Sequence, residues 1–342
     1  MKPNFQKYWD INVPKSYNCL FNFICGGRGT GKSFGAKYDF AKQFIKNGSQ
    51  FTYLRRTKEE LKELTTKRDG QFWDDISPFM SNREFKAESN KLLIDKETAG
   101  YAHALTTAMK LKSTPFPGVT DILFDEFIID ERGIGAPHYL FDEVIKFFEY
   151  YETIARERDV RVWFIANALT ANCPYFDHFG LTLPEPGKIK VFRNKDVLIQ
   201  NVVSPEVAAS KMQSRFYSHV VGDSRYRDYA IQNKTLLDDD TFIAKKPKNA
   251  KMKFVLWFHE KPIGVWFDPK YNTFYCSPNY DPNCDIQYSA TTQDHQPNRL
   301  ILSGQFQGAG IRLFKAAYEC GNMRFENQKI KGWVRDIMRW TR

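Results

Sequence analysis

The feature that most constrains the fold is the glycine-rich octapeptide GGRGTGKS at residues 26–33, which fits the pattern G-x-x-x-x-G-K-[ST]. In such a loop the glycines let backbone N–H groups turn towards a phosphate, the lysine reaches the phosphate oxygens, and the hydroxyl binds Mg²⁺. The following helix adds the positive end of its dipole. We expect these residues to bind nucleotide: Gly26, Gly27, Arg28, Gly29, Thr30, Gly31, Lys32 and Ser33.

The sequence around this loop alternates short apolar runs with helical patterns. The apolar runs predict buried strands at residues 21–25, 50–54, 121–124 and 160–166. Helical spacing of apolar residues predicts helices at 32–47, ended by Gly48, and at 139–158. This order is typical of an α/β fold in which a parallel sheet is covered by helices on both faces.

The second half of a nucleotide site is an apolar strand that ends in an acid, and ILFDEF at residues 122–127 supplies it. We expect Asp125 to hold the metal and Glu126 to orient and deprotonate the attacking water. A glutamate directly after the metal-binding aspartate indicates hydrolysis that drives movement. Asn167, at the end of the next strand, is either a sensor of the γ-phosphate or a plain strand cap.

The sequence changes character after about residue 203. Residues 204–235 are polar and indicate a helical or irregular linker or lid. Strand-like runs follow at 253–258, 263–268 and 272–276, and a helical pattern, interrupted near Gly321, closes the chain at 311–342. We therefore expect a phosphate-loop domain over 1–203, a linker over 204–235 and a second domain over 236–342.

The charge of the chain favours a polyanionic partner. Lys and Arg number 50 against 40 Asp and Glu, for a net charge of +10. The last 32 residues alone hold eight basic and three acidic side chains. The six cysteines form no C-x-x-C pair and no apolar run approaches the roughly 20 residues of a membrane span, so we expect a cytoplasmic protein.

The segments GGRGTGKS, TYLRR, LFDEF, ETIARERDVR and IANALTANCPYF, in this order over most of the first 200 residues, resemble the DNA-packaging ATPases of small short-tailed phages, the phi twenty-nine type. The resemblance implies a P-loop ATPase core of the additional-strand, conserved-glutamate class followed by a ribonuclease-H-like domain. The resemblance also implies that the second domain lacks nuclease activity. Asp268 ends a strand here, but the later acids are not placed to complete a metal cluster, so we expect no nuclease.

The resemblance also implies roles for individual residues. Arg156 falls at the position of an arginine finger that acts in trans, with Arg158 as its rival. Lys112 matches a lysine that is also presented across the subunit interface. Arg55 or Arg56 falls where the family packs a residue against adenine. Arg28 is a candidate contact to phosphates or between subunits.

The function so implied is that of a subunit of a homo-oligomeric ring, a pentamer by resemblance, that uses ATP and Mg²⁺ to move double-stranded DNA into a prohead. The expected partners are the portal and a structural RNA, and the expected location is the host cytoplasm, docked on the prohead but outside the mature virion. The basic tail would grip nucleic acid through Arg324, Lys329, Lys331, Arg335 and Arg339. The alternatives are a helicase-like or remodelling ATPase, a nucleic-acid-binding scaffold with a vestigial loop, and an active nuclease.

Overall fold

The computed structural model describes residues 3–5, 7–65, 71–130, 138–170, 172–222, 224–232, 238, 240–302 and 308–340. The chain divides into two compact units, Met1–Leu237 and Asp238–Arg342. No helix in these described ranges is both long and apolar enough to cross a membrane.

The first unit contains nine described strands and seven described α-helices. The strands are β1 (Phe21–Gly26), β2 (Gln50–Arg55), β3 (Phe85–Glu88), β4 (Lys91–Ile94), β5 (Glu97–Ala104), β6 (Val119–Asp125), β7 (Arg161–Asn167), β8 (Ile189–Phe192) and β9 (Val197–Val202). The helices are α1 (Asn12–Lys15), α2 (Lys32–Asn47), α3 (Lys58–Thr65), α4 (Glu143–Ala155), α5 (Pro174–Phe179), α6 (Pro205–Gln213) and α7 (Arg225–Gln232). Between α6 and α7 lies a π-helical turn, Phe216–Val221.

The nine strands form one sheet in the order β3-β4-β5-β2-β6-β7-β1-β9-β8. Six neighbouring strands of the sheet are parallel to one another: β5, β2, β6, β7, β1 and β9. The outer strands β3, β4 and β8 pair antiparallel. Strand β7 lies between β1, which leads into the phosphate loop, and β6, which ends in Asp125. This inserted strand is the additional strand of the expected fold class, which is confirmed.

Both faces of the sheet are buried, as the unbroken apolar runs predict for parallel strands. On one face Phe23, Phe124 and Phe164 pack with the apolar side of α4. On the other face Ile24 and Trp163 pack with α2. Helix α2 has the predicted bounds and ends at Gly48, which adopts φ +77° and donates its N–H to the carbonyl of Phe44.

The second unit is an α+β domain around a six-stranded sheet. Its elements are β10 (Lys251–Phe258), β11 (Lys261–Asp268), β12 (Thr273–Ser277), β13 (Gln287–Ser289), β14 (Leu300–Ile301), α8 (Ala309–Glu319), β15 (Met323–Phe325) and α9 (Gln328–Trp340). The order is β14-β13-β10-β11-β12-β15, in which β10, β11 and β12 form an antiparallel meander and β13 and β14 pair parallel beside β10. The five strands from β14 to β12 in this order follow the arrangement expected of a ribonuclease-H-like domain, and β15 adds a sixth strand beside β12.

The helical pattern at 311–342 needs a correction. The interruption near Gly321 contains the strand β15, which pairs parallel with β12, so the segment is helix, strand and helix. Gly321 adopts φ +74° and turns the chain at the end of α8. Three residues carry too little periodicity to be distinguished from a loop, and the strand forms because β12 offers it an edge.

Candidate nucleotide-binding site

The predicted site residues meet at one edge of the first sheet. Strands β1, β6 and β7 are parallel and end at Gly26, Asp125 and Asn167. Gly26 lies opposite Asn167, and Asp125 lies opposite Ile165. The carboxyl ends of parallel strands therefore bring the phosphate loop, the acidic strand end and the candidate sensor residue to adjacent positions.

The loop depends on glycine for two different physical reasons. Gly31 adopts φ +83°, and a Cβ there would lie 2.9 Å from the Cβ of Tyr8. Gly26 permits a close approach of the backbone, because a Cβ at this position would lie 2.3 Å from the carbonyl oxygen of Val202. Side chains at these positions would open the loop, so its curvature is encoded by the residue types.

Lys32 is folded back into the loop. Its ammonium donates to the carbonyl of Gly27 at 2.8 Å, and to the carbonyl of Gly26 and the hydroxyl of Thr30 at 3.3 Å each. Burial lowers the pKa of Lys32 to about 8. A desolvated ammonium held only by neutral acceptors is stabilised when an anion enters beside it, which suits this loop to phosphate.

Ser33 and Asp125 form the pair expected to hold a metal. The Ser33 hydroxyl donates to Asp125 Oδ1 at 3.0 Å, and the hydroxyl of Tyr53 donates to Asp125 Oδ2 at 3.1 Å. A hydroxyl and a carboxylate oxygen are hard ligands that fit Mg²⁺. Tyr53, which sequence reasoning missed, is a positioning residue that fixes the carboxylate from β2.

Glu126 is held by Arg55. Arg55 Nη2 lies 3.0 Å from Glu126 Oε2, and the same guanidinium approaches Asp125 at 3.8 Å and Glu60 at 3.4 Å. Glu126 adopts φ +60°, and its N–H donates to the carbonyl of Ile165 at 2.7 Å. The backbone hydrogen bond holds Glu126 in this left-handed conformation, which is uncommon for a residue other than glycine. In it the carboxylate of Glu126 points outward, and the side chain is 58% exposed.

The expectation that Arg55 or Arg56 packs against adenine needs correction for Arg56. Arg56 is 1% exposed and forms a buried pair with Glu143, with Nε–Oε2 and Nη2–Oε1 distances of 2.8 Å. Its remaining donors reach the carbonyls of Glu126 and Phe127. Arg56 is therefore enclosed in the core and cannot pack on a base, whereas Arg55 contacts the carboxylates of Asp125 and Glu126. Arg55 is the last residue of β2 and Arg56 follows the strand, so these consecutive side chains reach different surroundings.

The two residues expected to act in trans lie together, away from this site. Arg156 follows the last residue of α4, is exposed, and donates from Nη2 to the carbonyl of the exposed Lys112 at 3.0 Å. Arg156 precedes β7, whose seven residues lead to the carboxyl edge. At about 3.3 Å per residue, this places Arg156 roughly 20 Å from the phosphate loop of its own chain.

The rival arginine has a different environment. Arg158 donates to the carbonyls of Phe116, Pro117, Val119 and Ile154 at 2.6–3.0 Å. These contacts tie the end of α4 to the start of β6, which is a structural role.

The second unit holds the basic tail residues and the acids Asp268 and Asp294, which the sequence offers as candidate parts of a nuclease centre that we do not expect to form. Lys331, Arg335 and Arg339 follow one another at four-residue spacing along α9, whereas Lys329 lies on another side of that helix and Arg324 lies on β15. Asp268 and Asp294 are buried and accept backbone N–H donors from Lys270 and from His259 and Glu260. In the part of the chain that the structure describes, no three His, Cys, Asp or Glu side chains gather as a metal site.

Comparisons with known proteins identify the family of this chain. The family model of the podovirus DNA encapsidation protein (Gp16) matches residues 5–342. The chain belongs to this family. One relative of this chain is the DNA packaging protein of Bacillus phage B103, which is 32% identical to it over 317 residues. The match covers 92% of this chain and 95% of the relative. The DNA packaging protein of Bacillus phage phi29 is 29% identical over 328 residues, 96% of each chain.

Solved structures of this encapsidation family share the fold. A structure titled the bacteriophage Phi-29 viral genome packaging motor assembly matches with a TM-score of 0.76 and 27% identity, covering 98% of this chain and 100% of that one. The N-terminal domain of the DNA packaging ATPase from bacteriophage phi29 matches with a TM-score of 0.51 and 32% identity, covering 58% of this chain and 97% of that one. The protein is an ATPase of a DNA-packaging motor.

Proposed function

We propose that this encapsidation protein is one subunit of a ring that hydrolyses ATP to move double-stranded DNA into a preformed prohead. The proposal is carried by one observation: the phosphate loop, Asp125 and Glu126 lie at one edge of the sheet, and Arg156 lies roughly 20 Å away beside Lys112. Arg55 is engaged with Asp125 and Glu126, and Arg156 is too far away to reach phosphates bound in its own loop, so we infer that Arg156 acts on the site of a neighbouring subunit. Heterologous contacts of this kind form a ring when the rotation between neighbouring subunits closes.

Each residue in the site has a defined task in the proposed reaction. Lys32 and the loop N–H groups bind the phosphates, and Ser33 and Asp125 would hold Mg²⁺. Bound Mg²⁺ neutralises charge on the transferred phosphoryl group. Glu126 accepts a proton from the attacking water once Arg55 releases it, and Asn167 lies beside the loop where it can respond to the γ-phosphate. Arg156 and Lys112 of the neighbouring subunit stabilise the transition-state charge.

The wider assembly follows from the family relation as a proposal. The similarity to a chain in a viral genome packaging motor assembly supports a place for this protein in a larger assembly, which we propose is a ring on the portal of a prohead. We place the ring in the host cytoplasm during packaging and outside the mature virion, and we include a structural RNA among its partners. Five subunits is the number that the resemblance implies.

Steady-state ATP hydrolysis measured against protein concentration, with and without double-stranded DNA, tests this function. Specific activity should rise with concentration and with DNA, because assembly supplies Arg156 to each site. Lys32→Ala is the background control. Specific activity that is constant with concentration and indifferent to DNA would contradict the ring.

The basic side of α9 extends the proposal to nucleic-acid binding. Lys331, Arg335 and Arg339 recur every four residues, so their cations follow one line along the helix, as phosphates follow one line along a backbone. The double variant Arg335→Gln, Arg339→Gln should weaken binding and reduce the slope of log affinity against log salt by about 0.9 for each phosphate that is no longer neutralised.

Arg312→Gln is the matched control for this stripe, because Arg312 is an exposed arginine that lies on α8, outside α9. An unchanged salt slope in the double variant would contradict binding of nucleic acid through α9.

A further inference from the structure

Lys211, on α6, contacts the phosphate loop from outside the β1–α2 segment. Its ammonium donates to the carbonyl of Arg28 at 2.5 Å and to the carbonyl of Ala230, on α7, at 3.1 Å. Its Cε lies 3.9 Å from the place where a Cβ of Gly29 would be. A side chain far along the sequence therefore lies directly against the apex of the loop.

The local sequence fixes α6 in this position. The helix begins with Ser204-Pro205, in which the Ser204 hydroxyl accepts from the N–H of Val207 at 3.2 Å and proline takes the first helical position. The same hydroxyl donates to the carbonyl of Lys7 at 2.5 Å. Two residues later in the N-terminal segment, the N–H of Trp9 donates to the carbonyl of Thr30 in the loop at 2.9 Å. The start of α6 and the loop are thus held by the same short segment.

The charges around Lys211 favour a bound anion. An ammonium has three N–H donors, and two of them are used by the carbonyls of Arg28 and Ala230. No carboxylate in the described ranges forms an ion pair with it. Burial, followed by the positive charge of Arg28, lowers the pKa of Lys211, and Lys211 in turn helps to lower the pKa of Lys32. Cations that crowd together without an acid between them are stabilised by a polyanion.

We propose that Lys211 is a second nucleotide-binding lysine, which donates its remaining N–H to a phosphate oxygen of ATP. The proposal rests on ATP as the ligand of this loop. Because the same ammonium also holds α7 through Ala230, the lysine joins the occupied loop to the helices that follow it. The competing interpretation is a purely structural tie, in which Lys211 only anchors α6 and α7 through backbone carbonyls.

Calorimetric titration of the full-length protein with a non-hydrolysable ATP analogue and with adenosine separates these two roles. Lys211→Met should lower affinity for the ATP analogue about tenfold, as expected for one charge-assisted hydrogen bond, and Lys211→Arg should retain most of it. Affinity for adenosine should be the same in all three proteins. Lys195→Met is the matched control, since its ammonium also donates to a backbone carbonyl, that of Phe179.

The outcomes that overturn the proposal are distinct from a failure of the ATP assignment. If Lys211→Met binds the ATP analogue as tightly as the parent, or loses adenosine binding to the same extent, the lysine has no phosphate contact. If the parent protein and Lys195→Met themselves do not bind the ATP analogue, the assignment of ATP to the loop fails instead.

A measurement on the unmodified chain covers the case in which Lys211→Met does not fold. Acylation of lysine amines, followed by mass spectrometry, reports the accessibility of each ammonium. ATP analogue should protect Lys211 and Lys32 several-fold while leaving Lys195 unprotected. Protection of Lys32 without Lys211 would overturn the proposal.

Discussion

The carboxyl ends and the amino ends of the parallel strands differ in how completely the functional side chains near them are bonded within the chain. We call these two sides of the first sheet the carboxyl edge and the amino edge. At the carboxyl edge, Lys32 is held by the loop, Ser33 is bonded to Asp125, and Glu126 is paired with Arg55. At the amino edge, the exposed Arg156 makes a hydrogen bond to the carbonyl of Lys112. The functional side chains at the carboxyl edge are bonded to one another within the chain, whereas Arg156 at the amino edge is exposed.

Two arginines on the amino edge sharpen this contrast. Arg156 and Arg158 are two residues apart, yet Arg158 donates to four backbone carbonyls and Arg156 to one. A guanidinium that bridges a helix end and a strand start stabilises the fold. An exposed guanidinium that donates to a single carbonyl can leave that carbonyl and bind a phosphate with little loss of free energy.

The largest effect that we expect is from Arg156→Ala. Loss of an arginine finger lowers turnover by about 10³-fold or more, while nucleotide binding should remain unchanged because Arg156 is remote from its own loop. Mixing Arg156→Ala with Glu126→Gln should restore turnover, since each supplies the group that the other lacks across one interface. Mixtures that stay inactive in an ATPase assay would show that the arginine is not shared between subunits.

Arg158→Ala is the control for that contrast. It should lower the free energy of unfolding by about 2–3 kcal/mol, because several carbonyls lose a charged donor, and leave the turnover of the folded fraction largely intact. Chemical denaturation with a parallel ATPase assay measures both quantities. The reverse pattern, a stable but inactive Arg158→Ala, would transfer the finger role to that residue.

On the carboxyl edge, Glu126→Gln should bind ATP and fail to turn it over. A general base contributes about 10²–10⁴-fold, and the amide cannot accept the proton of the attacking water. Glu60→Gln is matched to it, since Glu60 also pairs with Arg55 but lies outside the acidic strand end. Single-turnover hydrolysis separates the two variants, and near-normal hydrolysis by Glu126→Gln would remove the residue from its proposed role.

The functional residues at the carboxyl edge were largely predictable because the sequence patterns that mark them lie within single short segments. A glycine loop between a strand and a helix, and an acid pair at the end of an apolar strand, encode their own geometry. Parallel pairing then brings the ends of β1, β6 and β7 together. The inserted position of β7 came from the resemblance, because strand order is not written in any one segment.

The rest depends on contacts between distant segments. Tyr53 and Arg55 reach Asp125 and Glu126 only because β2 neighbours β6, and Arg56, which follows β2, lies in the core against Glu143. Lys211 reaches the loop from 183 residues away. The short strand β15 is specified by the edge of β12 rather than by its own three residues.

The smallest effect that we expect is a pH dependence confined to the carboxyl edge. Burial lowers the pKa of Lys32 to about 8, below the value near 10.4 of an exposed lysine, and bound phosphate favours the protonated form. Below pH 8 the lysine is charged in free and bound protein, so affinity for ATP is constant. Above pH 8 binding must take up a proton, so affinity should fall by up to about tenfold per pH unit.

Stability of the nucleotide-free protein should change in the opposite direction in the same window. Between pH 8 and the pKa of an exposed lysine the unfolded chain binds more protons at this position than the folded chain, so this group makes the free energy of unfolding rise with pH. Titration calorimetry in two buffers of different ionisation enthalpy measures the proton uptake. In Lys32→Arg the side chain stays charged, so neither the fall in affinity for ATP nor the rise in the free energy of unfolding above pH 8 should be seen. An affinity that is constant from pH 8 to about 9.5 without proton uptake would contradict a phosphate contact by Lys32.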